Sequence, residues 1–211
     1  MSIIITADDI RERLAGTTKP DDLLAVDFTH MGARMPGRVV DRLKPRLRAA
    51  GVLIPVVDRP ETPSILLTKR SKDLRHHAGQ VSFPGGVMES DDEDIVATAL
   101  RETHEEVGIA PGYIDVAGYL QPIATITGYA VTCVIGIVDH PVEWEADPLE
   151  VDEIFEVPLP FLLDEANMEV TEGEFEGVRL PVASFHYEEH RIWGATAGML
   201  VRFIKLLIKP I

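Results

Sequence analysis

The chain has 211 residues, a formal net charge of −15 at pH 7, 45% hydrophobic residues and 26% charged residues. This length and composition predict a globular protein with one sizeable core, either one domain or a domain plus an additional arm. The single cysteine, Cys133, excludes an internal disulfide framework, and we expect it to be a buried core residue. With no secretory signal and no apolar run near the ~20 residues of a membrane span, we expect a cytoplasmic protein without a membrane partner.

The first quarter of the chain predicts helices and irregular structure. Thr6 and the residues after it predict the cap of a short helix that ends near Gly16. Residues 38–48 are basic, which is typical of a nucleic-acid surface, but a packed helix is favoured because the rest of the chain is acidic and no nucleic-acid motif follows. We therefore expect residues 1–48 to form a helical arm that packs on a main domain of residues 49–211, and we expect no nucleic-acid partner.

Strand and helix patterns alternate through the rest of the chain. The segments 51–57, 64–67, 116–126 and 130–138 read as strands, 169–188 reads as a hairpin, and an apolar helix extends to Ile208. Because strands and helices interleave, we expect an α/β fold in which a mixed sheet lies between helices.

An amphipathic helix is predicted over residues 91–107. The segment has no Gly or Pro, and its apolar or small residues recur at intervals of three and four. Ser90 is the expected cap, the acidic residues 91–94 would lie in the first turn, where the helix dipole favours negative charge, and Gly108 would end the helix.

One face of this helix carries three carboxylates, those of Glu102, Glu105 and Glu106. Carboxylates this close repel one another unless a cation offsets the charge, and Mg²⁺ or Mn²⁺ is the kind of ion that shares carboxylates with substrate phosphates. A solvated acidic face is the alternative. The context favours a metal, because residues 80–86 form a short strand followed by a Pro-Gly-Gly turn that lets the backbone approach a ligand.

Residues 86–109 resemble the Nudix box, G-x5-E-x7-R-E-U-x-E-E-x-G-U, in which U is aliphatic. The matching positions are Arg101, Glu102, Glu105, Glu106, Gly108 and Ile109, whereas Thr103 stands at an aliphatic position. Six residues, not five, separate Gly86 from Glu93. Either Glu93 keeps its place relative to Arg101, or Asp92 takes the acidic position with one residue added after it.

Residues 66–86 match the signature L-L-T-x-R-S-x3-R-x3-G-x3-F-P-G-G of coenzyme A pyrophosphatases within the Nudix superfamily. The segments 127–132 and 191–198 also resemble this subfamily. A basic cluster overlaps the signature, and such a cluster in an acidic chain focuses the electric field on a polyanion. Its members are Lys69, Arg70, Lys72, Arg75, His76 and His77.

The resemblance implies a Nudix-type α/β/α sandwich with a mixed sheet, and a Nudix hydrolase domain at residues 49–211. It implies metal-dependent hydrolysis of coenzyme A or its derivatives to adenosine 3′,5′-bisphosphate and 4′-phosphopantetheine or its derivative. Arg70 and Arg75 would bind phosphates, a role that suits the bidentate guanidinium group. Gly85 and Gly86 would let the backbone lie close to the substrate and metal.

The catalytic roles follow from the same resemblance. The metal ligands would be Glu102, Glu105 and Glu106. Arg101 joins the catalytic set by holding Glu105 in an ion pair, and either Glu105 or Glu150 would take the proton of the attacking water. Two neighbours of Glu150 can replace it, namely Asp152 and Glu153. We assign none of the seven histidines to a metal, although His76 and His77 lie where they can contact phosphate.

Two other functions stay open. One is hydrolysis of a different nucleoside diphosphate derivative, such as ADP-ribose or NADH, or of a nucleoside triphosphate. The other is a nucleotide sensor without turnover, which the intact glutamates disfavour. The expected partner is a small-molecule substrate, and the sequence leaves open whether the chain forms a homodimer.

Overall fold

A large mixed β-sheet lies at the centre of the computed structural model, which describes residues 5–26, 28–30, 33–74, 76–139, 143–175 and 177–208. The strands in the described residues are β1 (Thr29–His30), β2 (Ala33–Arg34), β3 (Arg48–Val57), β4 (Ser64–Arg70), β5 (Val81–Ser82), β6 (Gly85–Val87), β7 (Ile114–Tyr119), β8 (Ile123–Ala124), β9 (Tyr129–Val138), β10 (Val151–Pro158), β11 (Met168–Phe175), β12 (Val178–Tyr187) and β13 (His190–Trp193). The α-helices are α1 (Ala7–Leu14), α2 (Gly37–Leu43), α3 (Ile95–Val107), α4 (Leu159–Leu163) and α5 (Gly194–Ile208).

The central sheet has eight strands and runs in the order β10, β4, β3, β9, β7, with β5 beside β4, β6 beside β3 and β8 beside β9. β3 and β9 pair in parallel, and the other pairs are antiparallel. β11, β12 and β13 form a separate antiparallel sheet, which confirms the predicted hairpin. The predicted α/β/α sandwich with a mixed sheet is therefore confirmed.

Both faces of the central sheet are covered. Alternate residues of a strand point to opposite faces, and on β4 Leu66 packs in the cluster that contains Ala99 and Val107 of α3. Ile65 and Leu67 pack instead in the main core, with residues of α1 and α5. Since both faces are buried, the central strands β3 and β9 are continuous apolar runs rather than alternating ones.

The N-terminal region contributes to two cores. Thr6 caps α1 through a capping box with Asp9, as predicted, and Ile10 and Leu14 are buried in the main core. α2 packs in a separate cluster with Val178 and Leu180 of β12. The division into an arm of residues 1–48 and a domain of residues 49–211 stays a prediction.

The predicted helix over residues 38–48 is only partly correct. α2 ends at Leu43, a 3-10 helix covers Lys44–Arg46, and Arg48 already belongs to β3. Pro45 lies in the 3-10 helix, and a proline inside an α-helix removes a backbone hydrogen bond. The predicted strand over residues 116–126 is interrupted in the same way, since Pro122 lies between β7 and β8.

The start of α3 corrects a prediction, because the cap is Asp94 and not Ser90. The Asp94 carboxylate accepts hydrogen bonds from the backbone N–H groups of Val96 and Ala97 at 2.8 and 2.9 Å. The acidic residues 91–94 therefore lie before the helix rather than in its first turn. They do so because Asp92 closes a turn, accepting a 2.9 Å hydrogen bond from the Glu89 N–H. Gly108 ends the helix as predicted, with a φ of 73°.

Two further expectations concern burial. Cys133 is buried in β9, and burial raises the pKa of its thiol to about 12. Within the described residues, none of the helices is both long enough and apolar enough to cross a membrane.

We expect Asp94→Ala to lower the free energy of unfolding by about 1–2 kcal/mol, because two helix N–H groups lose their acceptor and Lys19 loses its ion-pair partner. Asp91→Ala is the matched control. It removes an exposed carboxylate of the same segment, whose hydrogen bond among the described residues is to Ser90 rather than to the helix, so the change should stay within about 0.5 kcal/mol. Urea unfolding of both variants measures the difference, and equal losses would contradict the assignment of the cap.

Candidate active site

The three predicted glutamates of α3 differ in their exposure. The side chain of Glu106 is 2% exposed, that of Glu102 is 16% exposed, and that of Glu105 is 54% exposed. One face of the helix therefore presents carboxylates at different depths, from a half-exposed one to a buried one. The deepest of them, Glu106, lies next to the sheet.

Arg101 connects the acidic groups around the start and middle of α3. Its Nε and Nη2 atoms donate to the two carboxylate oxygens of Asp92 at 2.8 and 3.0 Å. Its Nη1 atom donates to Glu102 at 3.0 Å and to Glu105 at 2.9 Å, so the predicted ion pair with Glu105 is confirmed. Hydrogen bonding to Arg101 holds the pKa of Asp92 far below its usual range, and the same bonds raise the pKa of the guanidinium.

These contacts favour one of the two alignments of the acidic position. Asp92 is the residue that pairs with Arg101, whereas Glu93 is exposed. The contact with Arg101 favours the alignment with Asp92 at the acidic position and one residue added after it, which stays a prediction. The sequence left both alignments open because counting residues does not reveal which side chain reaches the arginine.

Glu106 faces Arg70, which lies at the end of β4. The Arg70 Nη1 atom is 3.5 Å from Oε1 of Glu106, and Oε2 of Glu106 is buried without a hydrogen-bond partner among the described residues. The pKa of Glu106 is raised to about 8. Burial is the main cause and the charges of Glu102 and Glu150 contribute, whereas Arg70 and the Gly85 backbone N–H oppose the shift. Burial is also the main cause of the raised pKa of Glu102.

A loop brings Glu150 to this group. The backbone N–H groups of Glu145 and Asp147 donate to the last carbonyls of α3, on Val107 and Glu106, at 3.0 and 3.1 Å. The Glu150 carbonyl accepts a 2.8 Å hydrogen bond from the N–H of Ser71, directly after β4. The loop is thus fixed to both α3 and β4, and its carboxylate acts on the pKa values of Glu102 and Glu106.

The proposed substitutes for Glu150 differ in position. The carboxylate of Glu153 contacts Lys69 at 3.7 Å and His190 at 3.4 Å, away from α3. Asp152 is exposed and makes no contact that would place it at the glutamates in the described part of the chain. The geometry favours Glu150 among the three.

Gly85 and Gly86 lie in β6 rather than in the predicted turn, and both are required for close packing within the protein. A Cβ atom at Gly86 would lie 2.3 Å from Oε1 of Glu102, and one at Gly85 would lie 2.5 Å from the carbonyl oxygen of Gly51 on β3. Because Gly86 has no side chain, Glu102 can pack against β6. The predicted approach of a ligand to the same backbone stays a prediction.

The basic cluster is only partly available for an anion. Lys69 and Arg70 contact Glu153 and Glu106, respectively, and His77 shares a 2.8 Å hydrogen bond with Gln80. His76 and Lys72 are exposed. Arg75, the second predicted phosphate ligand, lies outside the described residues.

The acidic group suits a divalent cation with oxygen ligands. An unpartnered, buried carboxylate oxygen of Glu106, together with the charges of Glu102 and Glu150, is an arrangement that a cation stabilises. The side chains of Glu102, Glu105 and Glu106 do not meet at one point, however, because Arg101 and Arg70 hold them. In the described residues, the group that brings three ligand atoms within 4.8 Å of one another is Glu153, Glu189 and His190. Sequence reasoning missed this group because residues 36 positions apart carry no spacing signal.

Comparisons with known proteins identify the family and the fold. The model of the NUDIX domain matches residues 46–197. The uncharacterized Nudix hydrolase NudL of Shigella boydii serotype 4 (strain Sb227) is 42% identical over 164 residues, which cover 77% of this chain and 85% of that protein, and NudL of Escherichia coli O1:K1 / APEC matches equally. The crystal structure of RenU, a Nudix hydrolase from M. smegmatis, covers 78% of this chain and 89% of its own with a TM-score of 0.51 and 19% identity, a likeness of fold.

The raised pKa of Glu106 predicts a pH-dependent stability. Because its pKa rises from 4.5 to about 8, the folded protein keeps a proton that the unfolded chain has released, and stability is lost as the pH rises between these values. We expect Glu106→Gln to raise the free energy of unfolding of the metal-free protein, little at pH 5 and by the order of a few kcal/mol at pH 9.

Denaturant unfolding in the presence of a chelator at pH 5, 7 and 9 measures this effect. Glu105→Gln is the control, because it removes a half-exposed carboxylate of the same helix and leaves Glu106 in place. A pH-independent difference between Glu106→Gln and the unaltered protein would contradict the assignment.

Proposed function

The chain belongs to the Nudix hydrolase family, and on that premise we propose that it hydrolyses the pyrophosphate bond of coenzyme A or a coenzyme A derivative. The products would be adenosine 3′,5′-bisphosphate and 4′-phosphopantetheine or its derivative. Family membership supports a pyrophosphohydrolase in general. The choice of coenzyme A rests on the signature over residues 66–86 and on where that signature lies in the fold.

The observation that carries the proposal is the contact between Arg70 and Glu106. Arg70 is a fixed position of the coenzyme A signature, and Glu106 is a fixed position of the Nudix box. The two residues are 36 positions apart in the sequence, but β4 and α3 bring them to one site. A residue specific to the substrate class therefore lies against a residue that binds the catalytic metal in the proposed mechanism.

Carboxylates of this chain would hold the metal and accept the proton of the attacking water. Glu102, Glu105 and Glu106 would hold Mg²⁺ or Mn²⁺, which would supply neutralisation of phosphate oxygens and a lower pKa for the attacking water. Glu150 or Glu105 accepts the proton as the water oxygen bonds to phosphorus and the bridging P–O bond breaks. The charge of Glu150 raises the pKa of the buried Glu106, whereas the carboxylate of Glu105 is held by Arg101.

The basic side chains would hold the remaining phosphates. Coenzyme A carries a 3′-phosphate in addition to its pyrophosphate, so it offers more negative charge than the metal ligands alone can cover. A cation at Glu106 would compete with Arg70 for the carboxylate and leave the guanidinium for a phosphate oxygen. Arg75 would bind a second phosphate.

Other nucleoside diphosphate derivatives remain the alternative substrates, because the bond cleavage would be the same and the metal site does not read the nucleoside. A sensor without turnover is disfavoured by the complete set of glutamates. The cytoplasmic location and a homodimer stay predictions.

We expect Mg²⁺- or Mn²⁺-dependent release of adenosine 3′,5′-bisphosphate from coenzyme A, at a rate well above those with ADP-ribose, NADH and a nucleoside triphosphate. Glu106→Gln should abolish turnover while the protein stays folded. Glu93→Gln is the matched control and should keep full turnover, because Glu93 is exposed and Asp92 holds Arg101. Chromatography of the products, with circular dichroism for folding, measures these outcomes. Activity only on another substrate would refute the coenzyme A assignment, and full activity of Glu106→Gln would refute the metal assignment.

Arg75→Ala should mainly raise the KM for coenzyme A, by about tenfold or more, because a charge-assisted phosphate contact contributes about 1.5–3 kcal/mol. Lys72→Ala removes an exposed cation of the same loop at a variable position of the signature, and its KM should change much less. Initial rates across a range of coenzyme A concentrations separate the two variants. An unchanged KM for Arg75→Ala would exclude a phosphate contact.

A further inference from the structure

A second group of metal-ligating side chains lies outside the candidate active site. Glu153 is on β10, Glu189 is in the turn between β12 and β13, and His190 begins β13. One ligand atom from each of them lies within 4.8 Å of the other two. We propose that these three residues bind a divalent transition-metal ion, with Zn²⁺ as the ion that their chemistry favours.

The group is on the opposite face of the central sheet from α3. On β10, Ile154 packs in the cluster of α3, whereas Phe155 and Val157 pack in the main core on the other face. Glu153 is two residues before Phe155 on the same strand, so its side chain points to the same face as Phe155, that of the main core. On β4, Lys69 contacts Glu153 and the next residue, Arg70, contacts Glu106. The two acidic groups are therefore separated by the sheet itself.

His190 is the residue that distinguishes this group from an ordinary acidic surface. Its side chain is 2% exposed, and its ring stacks on Phe155 with 3.7 Å between the ring centroids and an angle of 11° between the planes. The Nε2 atom points to Glu153, 3.4 Å from Oε1, and Nδ1 is buried without a hydrogen-bond partner in the described structure. A buried imidazole in a fixed orientation thus faces Glu153, and a carboxylate oxygen of Glu189 lies within 4.8 Å of the ligand atoms of both.

The second carboxylate is placed by a two-residue turn. Tyr187 and His190 pair across β12 and β13, and Glu188 between them has a φ of 51°. This left-handed conformation is uncommon for a residue other than glycine. It brings the exposed Glu189 next to the buried imidazole that follows it.

The ligand types indicate the ion. Zn²⁺ binds imidazole nitrogen and carboxylate oxygen, and three protein ligands with one open position are common for it. Mg²⁺ prefers oxygen ligands alone, so the two sites would select different ions. The Lys69 ammonium lies 3.7 Å from the other oxygen of Glu153 and competes with the ion for this carboxylate. A bound ion would connect the three-stranded sheet to β10 of the central sheet.

Isothermal titration of Zn²⁺ into the full-length Glu106→Gln variant tests the proposal, because that background weakens the predicted catalytic site. We expect one tightly bound ion per chain. Adding Glu189→Gln or His190→Gln should weaken binding by about 100-fold or more, since loss of even an outer partner of a metal ligand costs about 10- to 100-fold. Adding Glu188→Gln, the matched control in the same turn, should leave binding unchanged. Lys69→Gln should strengthen it.

Thermal unfolding and X-ray absorption provide independent readouts. Because His190 is buried, its substitution can also disturb folding. The deciding comparison is therefore between Glu189→Gln, at an exposed position, and the control Glu188→Gln. Zn²⁺ at a hundredfold excess over its Kd should raise the Tm of the protein by roughly 5–10 °C and that of Glu189→Gln by much less. The absorption spectrum should show one imidazole ligand. Absence of tight Zn²⁺ binding, equal binding by Glu189→Gln and Glu188→Gln, or a spectrum without imidazole would overturn the proposal.

Discussion

The burial of the Glu106 carboxylate is the constraint on which the candidate active site depends. A charged group inside a protein is costly unless a partner compensates it, and here Arg70 lies at 3.5 Å while one carboxylate oxygen has no described partner. The pKa of Glu106 is about 8 because the cost of burying the charge outweighs the attraction of Arg70. A protein that keeps such a group gains from a cation at that place. β4, the glycines of β6 and the loop at Glu150 lie around Glu106.

Arg101 resolves the remaining repulsion at the helix surface. It contacts Asp92, Glu102 and Glu105 at once, so it fixes the turn before α3 and the two more exposed glutamates with one guanidinium group. Arg101 and Arg70 therefore divide the carboxylates between them. Because a cation would share these carboxylates with the two guanidinium groups, both arginines would contribute to the energetics of metal binding.

Two chemical environments lie on opposite faces of the central sheet, because successive side chains of β4 point to opposite faces. Arg70 and Lys69 are neighbours on β4, yet one contacts the glutamate of α3 and the other contacts Glu153 beside His190. One face thus presents carboxylates suited to an oxygen-loving ion and phosphate. The other face presents a buried imidazole with two carboxylates. The loop at Glu150 lies just before β10, so the same strand leads from one environment to the other.

The sequence by itself determined the fold class, the helix carrying the glutamates and its end at Gly108, because these depend on periodicity and on local backbone preferences. It also determined the family, because fixed spacings within one helix and one loop are read directly from the chain. Only the tertiary structure decided that Asp94 rather than Ser90 caps α3, that Asp92 rather than Glu93 meets Arg101, and that Glu150 rather than Glu153 approaches the glutamates. The group of Glu153, Glu189 and His190 likewise exists only in the folded chain. The first two features depend on the turn that Asp92 closes before α3, and the last two on which side chains from distant elements meet, a distance that no spacing along the chain encodes.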